Sequence, residues 1–272
     1  MNKYQQMTFK TIVYSILICS SFIACSTDSE STPSFTDGNN DIITEEIKER
    51  NRKNVGSSAN DLLSNSTYKS TVFEIFYVKD YKPTDETIEN FKKFVTERLN
   101  KSKGWELRLE EITVPAKTSY TVDDIIAMEN NLRTQYNTDD KIAVFGIYLD
   151  AEYANNTENG SVLGIAYQNT SFAIFENTVK SFSNKPLAPS RTVLSSTVLN
   201  HEFGHLLGLV NVGSNMQTDH QDTAHGKHCN VEDCLMFWTA ETGEGLLNSI
   251  TGGQIPTLDP QCIADLQANG GK

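Results

Sequence analysis

The sequence is short of positive charge. Lys and Arg number 23 against 35 Asp and Glu, a net charge of −12. A phosphate backbone demands a basic stripe, so nucleic acid is excluded as the main partner. Cysteine is scarce as well: five residues cannot frame a disulfide-stapled miniprotein. The one apolar run, Thr11 to Ala24, is too short to span a bilayer as a mature helix. No Walker or dinucleotide glycine motif occurs, and no internal repeat. What remains is a globular composition, 38% hydrophobic and 21% charged over 272 residues. That is enough for one well-buried domain or two small ones.

The N-terminal run has the order of an export signal. Lys3 and Lys10 supply the positive start, and Ile12, Val13, Ile16, Leu17, Ile18, Phe22 and Ile23 the apolar middle. It ends Phe22-Ile23-Ala24-Cys25, a small residue just before a Cys. This resembles a bacterial lipoprotein signal, with Phe22 standing where Leu is usual. The resemblance implies that residues 1–24 are removed and that Cys25 becomes the lipidated N-terminus. It also implies anchoring in the bacterial cell envelope, at the outer membrane or cell surface. Residues 25–66 are rich in Ser, Thr, Asn and Asp, and carry no Lys or Arg before Glu46. Such a segment cannot bury enough apolar area to order itself, so a disordered acidic tether is expected, with a short helix over Ile42 to Arg52.

The domain proper is expected over residues 67–272. Thr71 to Val78 (TVFEIFYV) and Lys141 to Leu149 (KIAVFGIYL) read as buried strands. Trp105 to Val114 reads as a third strand, and Ser161 to Tyr167 and Ser171 to Phe175 as two short ones. Apolar stripes predict helices from Pro83 to Asn100 and from Val122 to Tyr136, then one from Ser190 to Leu207. The order β-α-β-α-β-β-β-α argues an α+β fold with a layered α/β N-terminal subdomain.

The chemistry lies at the end of the last helix, in His201-Glu202-Phe203-Gly204-His205-Leu206-Leu207-Gly208. His at i and i+4 lie one turn apart on one face, so both imidazoles can reach one ion. Glu202 sits one step around the helix, where it can hold a metal-bound water rather than the metal. Leu199, Phe203 and Leu206 form the opposite, core-facing stripe. All five His residues fall between positions 201 and 228, a crowding that packing does not demand. Gly208 lets the chain leave the helix in a sharp turn.

The run His-Glu-x-x-His-x-x-Gly resembles the metzincin clan of zinc proteases. Its usual third ligand would fall at Asn211, a poor zinc ligand. Further on, His228-Cys229-Asn230-Val231-Glu232-Asp233-Cys234-Leu235-Met236 resembles the archaemetzincin run of third His, Cys, four residues, Cys, any residue and Met. The resemblance implies a twisted mixed sheet with an active-site helix and a small irregular C-terminal subdomain. It also implies that Asn211 to Lys227 is an insertion and Met236 the Met of the turn beneath the metal. His201, His205 and His228 are then the expected Zn2+ ligands and Glu202 the general base for peptide-bond hydrolysis. Asn211, His220 and His225 compete with His228 for the third place. His220 and His225 sit in a stretch with the composition of a mobile loop.

The resemblance also carries an edge strand that pairs with extended peptide, for which Ser161 to Tyr167 is the candidate, with Gly164 a bulge or close-approach position. Tyr153, Tyr167 and Trp238 are aromatics without an assigned place. Archaemetzincins complete a four-Cys structural zinc site with a later CxxC, whereas this chain offers only Cys262. Pairing of Cys229 with Cys234 as a disulfide is therefore expected in an oxidising compartment, with pairing to Cys262 or three free thiols as the alternatives. A monomer acting on protein or peptide substrate is the expected form. The other reading is a catalytically inactive zinc-binding surface lipoprotein, an adhesin or receptor.

Overall fold

A computed structural model of the protein describes residues 35–36 and 42–272, less 158–159 and 250–252. The expected signal peptide, Cys25 and most of the first part of the tether lie outside the described residues. Strands β1 (Phe35–Thr36) and β2 (Ile42–Ile43) form a short antiparallel pair. Two short helices follow, α1 (Glu45–Glu49) and α2 (Ala59–Leu63). The main elements are then β3 (Ser70–Val78), α3 (Asp85–Arg98), β4 (Trp105–Ile112), β5 (Ser119–Tyr120), α4 (Val122–Leu132), β6 (Lys141–Tyr148) and β7 (Glu152–Tyr153). After them come β8 (Gly164–Gln168), β9 (Ser171–Ile174), α5 (Glu176–Ser183) and α6 (Arg191–Leu206). A 3-10 turn (Trp238–Glu241), α7 (Gly243–Ser249) and α8 (Pro260–Ala268) complete the chain.

Five strands make one sheet in the order β4-β3-β6-β9-β8. The first four are parallel and β8 runs antiparallel to β9 at the edge. β3 and β6 are buried nearly end to end, because their β-branched and aromatic residues face helices on both sides. One face packs Phe73, Ile75 and Val144 against α3 and α6; the other packs Phe76, Phe145 and Ile147 near Ile125 of α4. Helix starts follow local chemistry. Thr84 accepts from Thr87 N at 3.1 Å, and Thr121 with Asp124 forms a reciprocal capping box, each satisfying N–H groups the helix leaves open.

α6 is fixed to the sheet through Phe203. Its ring meets Phe73 at 5.4 Å, Phe91 at 5.3 Å and Phe94 at 6.3 Å, all near edge-on, a favoured aromatic geometry. Leu199, Phe203 and Leu206 are fully buried, as the apolar stripe requires. α5, which the sequence reading did not contain, packs against α6. Its Glu176 is buried and accepts from Arg191 Nε at 2.6 Å and Ser195 Oγ at 3.0 Å. Burial pushes that carboxyl up to about 7, against the pull of Arg191.

Two expectations are corrected here. The edge strand begins at Gly164, not Ser161, because Ser161 and Leu163 bond instead to the chain beyond the 3-10 turn: Leu163 N donates to Glu241 O and Gly243 N to Ser161 O, both at 2.9 Å. The tether is also shorter than expected. Leu62 and Leu63 are fully buried in the main core. Asn51 is buried, with its amide nitrogen donating to Asn137 Oδ1 at 2.8 Å and Thr170 Oγ1 at 2.9 Å while its oxygen accepts from Asn137 N at 3.0 Å. Residues 42–66 belong to the folded unit because they fill a hollow that a polar composition alone does not reveal.

Asn51→Ala leaves several buried polar groups unpaired. It should lower stability by about 1–3 kcal/mol, read as a shift in denaturant midpoint. An unchanged midpoint would return this segment to the tether.

Candidate metal centre

α6 carries His201 and His205 to its C-terminal end, and the chain must then reverse. Gly208 makes that reversal at φ +81°, and a Cβ there would lie 2.4 Å from Ser214 N. Glycine is required on both counts. The chain returns through 209–227 and brings His228 opposite the helix. Leu235-Met236 passes beneath it, so closely that a Cβ on Gly204 would lie 2.4 Å from Met236 Sδ.

The three rings converge. Centroids are 4.7 Å apart for His201–His205 and 5.3 Å for each pairing with His228. Every Nδ1 faces a backbone carbonyl: His201 to Leu235 O at 2.7 Å, His205 to Leu209 O at 3.3 Å and His228 to His225 O at 2.9 Å. A carbonyl can only accept, so each ring holds its proton on Nδ1 and presents a bare Nε2 inward. His201 Nε2 and His205 Nε2 are 3.1 Å apart, near the roughly 3.3 Å edge of a tetrahedron with zinc–nitrogen bonds. His228 Nε2 is a buried polar atom without a hydrogen-bond partner. Facing lone pairs repel unless a cation lies between them, so this donor set fits a divalent metal, and neutral imidazole suits zinc. Burial draws His205 down to about 4, which keeps its imidazole neutral at ordinary pH.

Glu202 lies on the same helix but turns toward β8. A Cβ on Gly164 would lie 2.8 Å from Glu202 Cγ, so the edge strand presses directly on this side chain. Glu202 is buried, and its Oε1 has no hydrogen-bond partner. Burial first, and the nearby Glu241 charge second, push its carboxyl well above the ordinary range, opposed by the Ala166 backbone. A cavity of about 170 Å³ opens here, lined by Gly164, Ala166, Glu202, His205, Lys227 and Glu241 among others.

Glu241 is the residue that sequence reasoning missed. It sits on the 3-10 turn with its Oε1 2.9 Å from His228 Nε2, 3.1 Å from His205 Nε2 and 3.6 Å from His201 Nε2. With the Nε2 atoms bare, none of the three can donate to this oxygen, so the carboxylate faces the lone pairs as a fourth electron-rich group. The four residues form one group able to hold a metal. Nothing local marks Glu241 out, because a Glu on a short turn usually faces water.

The other sequence candidates separate. Asn211 is exposed at φ +55°. His225 stacks on Trp238 at 4.1 Å and 9°, with Asp222 on its Nδ1 at 2.8 Å. Its carbonyl orients His228, and its ring is half-exposed. Tyr167 donates to Glu129 Oε2 at 2.7 Å, and Tyr153 packs on Phe175. The expected Cys229–Cys234 disulfide is absent: Cys229, Cys234 and Cys262 are free and buried. Nor is the insertion a solvated loop. His220 and Ser214 are fully buried, with Ser214 Oγ donating to Leu207 O at 2.7 Å and Gln217 N to Asp265 Oδ1 at 2.7 Å. The loop composition fits its many exposed positions, while these few side chains turn inward to partners far along the chain.

No protein-family model matches the sequence, and no curated protein matches it. Among solved structures, the chain is similar to the crystal structure of archaemetzincin from Methanopyrus kandleri. The identity is 16% and the TM-score 0.49, over 76% of this chain and 98% of that one.

Gly204→Ala should cost about 1–3 kcal/mol through its clash with Met236, measured by denaturant unfolding. The cost should shrink in a Met236→Ala background. Equal costs in both backgrounds would show that Met236 does not set the close approach.

Proposed function

We propose that the protein is a zinc-dependent peptidase held to the bacterial envelope by a lipid on Cys25. The observation that carries the reading is the convergence of three Nε2 lone pairs beside a buried, unpartnered carboxyl oxygen of Glu202. His201, His205 and His228 would hold the ion. Zinc bound there would supply Lewis acidity toward a scissile carbonyl and ease removal of a proton from water.

The protein's own residues do the rest. Glu202 is not needed to bind the ion. It faces the same cavity; beside the positive charge of a bound ion it would stand as a carboxylate despite its burial, take a proton from the attacking water, and deliver it to the leaving amine nitrogen. β8 is a sheet edge beside Glu202, and its outer side offers backbone groups to an extended peptide, as added strands require. Glu241 must withdraw for a water to reach the three imidazoles. Its position on a four-residue turn, about one-third exposed, suits such a movement.

The test is hydrolysis of a broad peptide library by the full protein, with and without a chelator. Glu202→Gln should keep its zinc while cleavage falls at least ~10²-fold, the scale of lost acid–base help. His201→Ala, His205→Ala and His228→Ala should each lose metal. Zinc bound normally without cleavage by any form would leave an inactive metal-binding lipoprotein, and loss of metal in Glu202→Gln would make that residue a ligand.

Anchoring has its own test. The wild-type protein should partition with membranes, and Cys25→Ala should release or mislocalise it. A wholly soluble wild-type protein after export would remove the lipid from the proposal.

A further inference from the structure

The sheet has two open edges. β8, beside the metal centre, is one. β4 is the other, and β3 is its one neighbour in the sheet. Gly104 O accepts from Thr71 N at 3.2 Å and Ile112 O from Lys79 N at 2.9 Å. Even-numbered residues therefore turn their backbone groups toward β3. Those of Trp105, Leu107, Leu109 and Glu111 face outward and have no partner among the described residues. Open edges are commonly blunted by a proline, a bulge or a very short strand. β4 has none of these: it runs eight residues without proline, and its register against β3 is unbroken.

The two faces of β4 differ in chemistry. Trp105, Leu107 and Leu109 lie on the face of the main core and are only half-buried there. Glu106, Arg108 and Glu110 lie on the opposite face with Ile112, which packs against the second cluster. Glu106 and Glu110 are exposed, and Arg108 Nη2 meets Glu106 Oε1 at 2.6 Å. The edge thus carries an apolar stripe, a stripe of alternating charge and a row of unpaired backbone groups between them. We propose that β4 pairs antiparallel with β4 of a second copy of this chain, Leu107 opposite Leu107, so that two sheets join into one.

Centred on Leu107, the strand is its own complement. Glu106 of each copy stands opposite Arg108 of the other, which makes a square of two carboxylates and two guanidinium groups with alternating sign. Those positions are the non-hydrogen-bonded ones, where opposing side chains come closest. On the other face Leu107 meets Leu107 between two pairs of Trp105 with Leu109, which removes half-buried apolar surface from water. The neighbouring registers fail. Centring on Arg108 sets Arg against Arg and Glu106 against Glu110, and centring on Glu106 sets Glu against Glu; like charges directly opposite destabilise a pair. Centring on Leu109 keeps Arg108 against Glu110 but places Leu107 opposite Glu111 and Glu106 opposite Ile112.

The pairing has two-fold symmetry, so one patch serves both copies and the assembly closes at two. β8 lies four strand spacings from β4, roughly 19 Å away. The two metal centres therefore fall at the far ends of the joined sheet, and the edge beside Glu202 stays open in each copy. The contact is narrow, which places it among weak, reversible associations.

The experiment is sedimentation equilibrium of the full chain, and its outcome is independent of any peptidase activity. Over ~1–100 μM, the range in which a narrow contact dissociates, the protein should pass from monomer to dimer. Glu106→Arg and Arg108→Glu change exposed side chains away from the metal centre. Each variant alone should stay monomeric over that range with its unfolding midpoint unchanged. Mixed in equal amounts, the two should form a heterodimer, because every opposed charge pair again has opposite signs. A wild-type chain that is monomeric throughout would overturn the proposal. A dimer that survives both variants would place the contact elsewhere, at the lipid for example. A dimer that survives Glu106→Arg alone would move the register to Leu109. Absence of a heterodimer in the mixture would overturn the Leu107 register.

Discussion

Three bare imidazole nitrogens aimed at one point are the constraint on which the rest of the site depends. Each is forced inward by a carbonyl behind its ring, and two of them stand 3.1 Å apart. Held without a cation, such lone pairs repel. The surrounding structure must therefore hold them rigidly, and it does so from three directions. Phe203 wedges α6 against the sheet. Gly204 lets Met236 close in from below. Gly208 permits the reversal that lets the chain return with His228.

Much of the frame was legible in the sequence because it rests on strong local preferences. β3 and β6 are runs of β-branched and aromatic residues that suit a doubly covered sheet. α6 has a Ser190 cap, accepting from Val193 N at 3.2 Å, and an apolar stripe that leaves the two His on the other side. His228 was legible through the resemblance of the run from His228 to Met236 to the archaemetzincin pattern, and the structure places it beside the other two rings. The illegible parts are those whose meaning depends on distant partners. Leu62 and Leu63 are a short apolar pair in polar surroundings until the core receives them. Glu176 looks like a surface acid until Arg191 and Ser195 enclose it.

Glu241 and His220 were hidden for the same reason. A Glu on a short turn and a His in a loop rich in Gly, Ser, Asn and Asp both favour solvent by composition. Glu241 turns in to face the three imidazoles, and His220 is held by Asp265, a residue 45 positions further along the chain. The insertion is thus tied to α8, through His220 Nε2 and Gln217 N on the Asp265 carboxylate.

The stitch between Ser161–Leu163 and Glu241–Gly243 has a mechanical consequence. The strand that leads into β8 and the turn that carries Glu241 share two backbone hydrogen bonds, each 2.9 Å long. At the very next residue, β8 presses Gly164 against Glu202. Load applied along the open edge of β8 therefore reaches both carboxylates by short, stiff routes.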